Sequence, residues 1–138
     1  MSKIKLIHRD SVIEGMSMPG GHYSHTVVAD GLVFISGQLP INESGEPCTY
    51  LGFAEQTELA IKNVATALQA AQCDWRHVLK ITAYITDVDN WPLFNKVYAT
   101  YVGEFKPART VVPVPALHFG ALIEIEAIAL RNGDSASR

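Results

Sequence analysis

The sequence predicts an α+β domain, a single mixed β-sheet with two helices packed on one face. Three observations carry that expectation. Two stretches, 52–72 and the segment after Asp89, repeat their apolar residues at helical spacing. Two others, 78–86 and 122–130, alternate at period two as half-buried strands do. Asp30-Gly31 sits between two β-rich runs, the pattern of a type I′ hairpin.

Taken in order, residues 4–7 alternate apolar and lysine side chains and predict a short first strand. The 16–22 stretch, Met-Ser-Met-Pro-Gly-Gly-His, is a loop. Its adjacent glycines let backbone approach a ligand closely, though a plain connector explains them as well. Counting back from the Asp30-Gly31 turn pairs Ala29 with Leu32, Val27 with Phe34 and His25 with Ser36. His25 and Ser36 then share one face at the open end of the hairpin. Residues 38–50 hold Pro40, Asn42, Gly45 and Pro47 and read as loop. Phe53, Thr57, Ala60, Ile61, Val64, Leu68 and Ala71 form the apolar stripe of one long helix. In the 78–86 strand, Leu79, Ile81, Ala83 and Ile85 oppose Lys80, Thr82, Tyr84 and Thr86. Asp89 or Asn90 caps the second helix, which tolerates Pro92 in its first turn and turns Phe94, Val97, Tyr98, Tyr101 and Phe105 inward.

Two strands close the domain, one opening at Arg109 and one over 122–130, and 132–138 reads as a frayed tail. In the last strand Ile123, Ile125, Ala127 and Ala129 share a face; Glu124 and Glu126 lie on the other among Leu122, Ile128 and Leu130. A carboxylate in so apolar a strand is expensive to bury unless it finds a partner. A hairpin between the two closing strands would bring the Arg109 guanidinium near it. The strand–helix–strand segments imply right-handed parallel crossovers. The sheet's second face, with Phe34 and Tyr84, needs a cover, and a second subunit is the simplest one.

Size and composition fit one domain, expected over 1–131. Of 138 residues 48% are hydrophobic and 18% charged, lean for a small monomer, so apolar surface is expected between subunits. A net charge of −3 argues against a nucleic-acid platform. No apolar run is long enough to span a membrane, and the N-terminus lacks the apolar core of a signal. Cys48 and Cys73 show no metal or redox spacing, which points to a reducing cytoplasm.

Four segments carry a resemblance: Gly21-His22-Tyr23-Ser24, Phe34-Ile35-Ser36-Gly37-Gln38, Asn95-Lys96-Val97-Tyr98, and Pro107-Ala108-Arg109-Thr110 followed by Ile123-Glu124-Ile125-Glu126-Ala127. Together they resemble the Rid/YjgF family of reactive-intermediate deaminases over nearly the whole chain. The resemblance implies a chorismate-mutase-like fold assembled as a homotrimer, with equivalent clefts between neighbouring subunits. It implies hydrolysis of 2-enamine and 2-imino acids to 2-keto acids and ammonia, with no cofactor and no metal. The matching arginine, Arg109, would hold the substrate carboxylate, and Glu124 would position water at the imine carbon. Tyr23, Ser36 and Asn95 would line or support the pocket, and Val111 stands where the family often has cysteine. His22, His25 and His118 also depart from the common pattern, which bears on substrate range more than on reaction type.

The chemistry suits these residue types. An arginine fork fixes both position and plane of a carboxylate, worth about 2–5 kcal/mol in a cleft. A glutamate that takes a proton from water and returns it to the departing nitrogen contributes about 10²–10⁴-fold. Plainer readings stand beside each role. On spacing alone Arg109 is a structural ion pair and Glu124 an edge or interface charge, with Glu126 its rival on the same face. Tyr23 also reads as loop packing, Ser36 as a strand-end hydroxyl, Asn95 as a loop tie and His118 as a surface residue. The His22-x-x-His25 spacing suggests metal, but on a strand entry the two side chains face opposite sides. A rival function from another class is a non-catalytic carboxylate- or protein-binding trimer using the same clefts. RNA binding or cleavage is disfavoured by charge.

Overall fold

The structure, a computed structural model, describes residues 6–131. Six strands form one sheet: β1 (Ile7–Asp10), β2 (Thr26–Ala29), β3 (Leu32–Gln38), β4 (Val78–Ile85), β5 (Ala108–Pro113) and β6 (Ile123–Leu130). Their order across the sheet is β1-β2-β3-β6-β4-β5. Every neighbouring pair is antiparallel except β4 with β5. Helices α1 (Phe53–Ala70) and α2 (Trp91–Val102) contribute to the core against one face of this sheet. The predicted class, one mixed sheet with two helices, is the one observed.

The local signals that forced these elements are visible. Asp30 (φ 55°) and Gly31 (φ 84°) both take positive φ, as a type I′ turn requires, and the register pairs Ala29 with Leu32 and Val27 with Phe34. The whole predicted stripe of α1 is buried, from Phe53 through Ala71. Gln56, fully buried within that helix, donates to the carbonyls of Thr49 and Leu51, and its Oε1 accepts from the Leu122 N–H at 2.9 Å. One side chain thereby satisfies three part-buried backbone groups and pins the start of β6 to the helix.

β6 is the strand that organises the sheet. It lies between β3 and β4, and its alternate residues Ile123, Ile125, Ala127 and Ala129 are all buried under the helices. This central seat overturns the expected hairpin of the two closing strands. β5 instead pairs in parallel with β4 at the sheet edge, with β4 intervening between β5 and β6. The sequence between β5 and β6 is long enough to cross over β4, so adjacency in sequence did not become adjacency in space.

Smaller expectations also shift. The first strand runs over Ile7–Asp10, later than the 4–7 reading, of which residues 4 and 5 lie outside the described residues, as does the expected tail 132–138. A bulge between Val78 and Lys80 buries Val78 and leaves Leu79 45% exposed, so strict alternation begins only at Lys80. Asn90 precedes α2 without a side-chain cap; Asp87 instead caps the single 3₁₀ turn before it by accepting from the Asp89 N–H. Pro92 sits in the first turn of α2 as expected. The helix stops at Gly103 (φ 72°), so Val102 takes the last buried position and Phe105 lies half exposed beyond it. Cys48 and Cys73 are both buried and free. No helix among the described residues is long and apolar enough to cross a membrane. The sheet face away from the helices carries Phe34, Tyr84, Glu126, Ile128 and Leu130; Phe34 is 43% and Leu130 48% exposed.

Candidate active site

The residues singled out in the sequence fall into two groups on opposite faces of the sheet. The first gathers at the β5 edge. Arg109 faces the helix side, where its guanidinium carbon lies 4.8 Å from the ring centre of Tyr98, 5.3 Å from Phe94 and 5.9 Å from Trp91. Its Nη1 donates to Asn95 Oδ1 at 3.0 Å. No carboxylate pairs with it among the described residues, so the plain reading as a structural ion pair is not the arrangement found. Asn95 orients the guanidinium, a more specific job than a loop tie. Val111, two residues on, packs its side chain partly buried against the core. Burial pushes the Tyr98 hydroxyl upward in pKa, and the Arg109 charge pulls it back.

The second group lines a cleft of about 510 Å³ on the other face, bounded by Met18, Tyr23, Ser36, Gly37, Phe119 and Glu124, with Ser17, Leu39, Ile41 and His118 contributing. Glu124 carries no hydrogen bond or ion pair among the described residues. Burial pushes its carboxyl above the ordinary carboxylate range; His118 pulls it back down, and Glu126 adds a smaller push upward. Glu126, the internal rival, is engaged: it accepts from the Tyr84 hydroxyl at 3.2 Å. The unpartnered carboxylate is therefore the one at the cleft.

What places Glu124 there is a bulge in β3. Between Ile35 and Gln38 the β3 register slips by one against β6, so Ser36 and Gly37 together span the step. A Cβ on Gly37 would stand 2.5 Å from Glu124 Oε2, so only glycine lets the carboxylate lie flat against this backbone. Ser36 Oγ donates to the Ser24 carbonyl at 2.7 Å, fixing the strand entry, and the Ser36 N–H donates to the His25 carbonyl at 3.0 Å. The predicted His25–Ser36 pairing is thus kept in the backbone. The side chains part company: Ser36 lines the large cleft, while His25 is buried beneath the 16–23 loop. Tyr23 is half exposed at the rim, its hydroxyl accepting from the Gly20 N–H at 3.3 Å.

The expected meeting of Arg109 and Glu124 does not occur within one chain. β5 and β6 are two strand spacings apart, about 10 Å, and the two side chains leave opposite faces. A ligand of a few atoms cannot touch both in a single protomer.

Residues 16–131 match the family model described as Endoribonuclease L-PSP. The chain belongs to the YjgF/Rid family. The 2-iminobutanoate/2-iminopropanoate deaminase of Homo sapiens is 37% identical over 123 residues, covering 88% of this chain and 90% of that protein. The crystal structure of yeast YEO7 superposes with a TM-score of 0.86 at 31% identity, over 91% of this chain and 99% of that one. E. coli TdcF, solved with bound serine, does so with a TM-score of 0.83 at 30% identity, over 90% and 99%.

Within the YjgF/Rid frame, two residues gain weight that sequence reasoning had passed over. Gly37 carries, beyond its place in the Ser36-Gly37-Gln38 motif, the signal of a glycine inside a strand, which marks a bulge or a close approach. Phe119, with φ 63°, holds a left-handed conformation rare for an aromatic residue and stands 61% exposed on the cleft. Nothing in its sequence surroundings marks that strain except the glycine after it.

Proposed function

We propose that this chain is a cofactor-free hydrolytic deaminase of 2-imino acids, releasing 2-keto acids and ammonia. The observation that carries the reading is Glu124, a half-buried carboxylate with no hydrogen-bond or ion-pair partner among the described residues, raised in pKa and lying at the floor of a cleft. A pure carboxylate-binding site gains nothing from such a group, whereas a hydrolase uses it to take a proton from water. An enamine entering the site first tautomerises to the imine. Water then adds to the C=N carbon while Glu124 accepts its proton. Glu124 passes that proton to the nitrogen, giving a carbinolamine; it then takes the carbinolamine hydroxyl proton and delivers it to the amino nitrogen, so the C–N bond breaks and ammonia leaves as the carbonyl forms. Arg109, oriented by Asn95 and laid on three aromatic rings, holds the substrate carboxylate. Tyr23 and Ser36 line the site, and Val111 flanks it behind Arg109.

Because Arg109 and Glu124 face apart in one chain, the working site in this reading is completed by a second copy. A homotrimer with clefts between neighbours, its subunits meeting across the exposed Phe34 and Leu130 face, supplies that arrangement. The 37% identity to a named imine deaminase and the serine bound in TdcF both favour a small amino-acid-derived ligand. The two free cysteines suit a reducing cytoplasm.

The test generates a 2-imino acid with an amino-acid oxidase in the presence of semicarbazide and follows semicarbazone formation. Suppression by wild type and not by Arg109→Ala supports the deaminase. No suppression across several imines by a folded oligomer moves the assignment to the carboxylate-binding trimer. The family model's description names an endoribonuclease; RNA cleavage that falls steeply with salt would favour that third reading.

A further inference from the structure

Below the cleft lies a polar cluster to which the deaminase chemistry assigns no task. His25 is 5% exposed, yet both ring nitrogens are engaged. Nε2 lies 2.7 Å from the Ser17 carbonyl oxygen and Nδ1 lies 3.3 Å from Gln38 Nε2, which also donates to the Ser36 carbonyl at 3.1 Å. One tautomer satisfies everything: Nε2–H donates to Ser17, and Nδ1 accepts from Gln38. The two bonds tie different segments. Ser17 belongs to the loop that brings Met18, Gly20 and Tyr23 to the cleft, and Gln38 closes the bulge whose Gly37 backs Glu124.

Met16 of this loop packs against the core, but among the described residues the loop's one hydrogen bond to the strands is the one to His25. Between the loop and the bulge is a small, partly open pocket of about 30 Å³, lined by Met16, Ser17, Met18, His25, Gln38 and Leu39 among others. Packing is incomplete across that pocket, so the register of loop against strand leans on the directional bonds of His25. We propose that His25 is a positioning residue. It locks the 16–23 loop onto the Ser36–Gly37 bulge and so sets the distance between the Tyr23 wall and the Glu124 floor of the cleft. It touches no reacting atom.

The proposal rests on the deaminase reading, and its test carries a readout for each. His25→Leu removes both bonds at similar volume; His25→Gln can donate to Ser17 and accept from Gln38. Each neutral bond lost is worth roughly two- to tenfold. In the semicarbazone assay KM should rise about tenfold in the Leu variant with a smaller fall in kcat, because the loop wall is freed before the strand-borne floor. The Gln variant should return KM to within about threefold of wild type. Wild-type KM in a folded Leu variant, or a Gln variant as impaired as Leu, overturns the proposal. If His25→Leu does not fold, His25→Asn takes its place: polar but too short to span both partners, it should show the same rise in KM, and an unchanged KM overturns the proposal. If the wild-type protein deaminates nothing, amide hydrogen exchange decides. Faster exchange of the Met18, Gly20 and Tyr23 amides in the Leu variant, with Gln restoring protection, supports the positioning role; equal exchange overturns it.

Discussion

At the β5 edge Arg109 lies over aromatic rings and has no counter-ion among the described residues; across the sheet Glu124 sits in a cleft with no hydrogen-bond donor among them. The first is held by stacking and one neutral amide, contacts that leave the guanidinium fork open to an anion. The second is held by shape, a bulge and a missing Cβ, which strip water from the carboxylate and make it a stronger base. In the proposed mechanism the first region offers a cation to the substrate and the second a base to the attacking water. The contrast teaches that each half is unsatisfied in a way the other half's ligand would satisfy.

Ways to break that contrast range from large effects to small. Glu124→Gln should cost about 10²–10⁴-fold in kcat, with carboxylate binding kept as judged by 2-keto-acid titration. Unchanged turnover would return Glu124 to an interface charge. Arg109→Ala should cost about 10²–10³-fold in kcat/KM, mostly through KM, and Arg109→Lys should recover little because it loses the fork. Loss of the oligomer in either, seen by sedimentation, would make Arg109 a structural residue. Gly37→Ala should displace the Glu124 carboxylate and lower kcat about tenfold with a minor change in Tm. A wild-type kcat there would mean that the carboxylate's seat against the bulge does not matter.

The smallest effects are those of pH. In the proposed mechanism Glu124 acts as a base when ionised, so the acid limb of kcat/KM should lie above the ordinary carboxylate range. His118→Ala removes a downward influence and should move the limb to higher pH; Glu126→Gln removes an upward one and should move it lower. For stability the sign follows from the raised folded-state pKa. Its contribution is present below the unfolded carboxyl value and is lost as pH rises through the folded one. At neutral pH, then, wild type carries a partly desolvated charge that Glu124→Gln lacks. The variant should melt higher by about 2 °C at pH 7, with the gain shrinking towards pH 4. A gain that grows on acidification would contradict the assignment.

Much of this was legible in the chain, for reasons that differ by region. The α1 stripe, the β6 alternation and the Asp30-Gly31 turn are local signals, and the structure keeps all three. Strand order is not local. Nothing in the residues of β5 or β6 says that β4 will slip between them, so the expected hairpin failed although both strands were correctly seen. That one error mattered most, because it put Arg109 and Glu124 on neighbouring strands when they stand on opposite faces. Bulges were the second blind spot: the slip at Val78–Lys80 and the one at Ser36–Gly37 each add a residue that period-two counting cannot anticipate. His25 illustrates the consequence. Its partner strand was read correctly, but the bulge and the loop above it sent its side chain to a different cavity from that of Ser36.

The central claim, that the working site joins Arg109 of one copy to Glu124 of another, is tested most directly by mixing subunits. Arg109→Ala and Glu124→Gln chains carrying different tags are co-expressed, and the mixed oligomer is isolated and assayed for imine hydrolysis. Each variant alone should be nearly inactive. If sites span subunits, each isolated mixed trimer holds one intact Arg109–Glu124 pair among its three interfaces, and about a third of wild-type activity returns. Activity in the mixture no greater than that of the separate variants, with mixed oligomers shown to be present, would contradict the account.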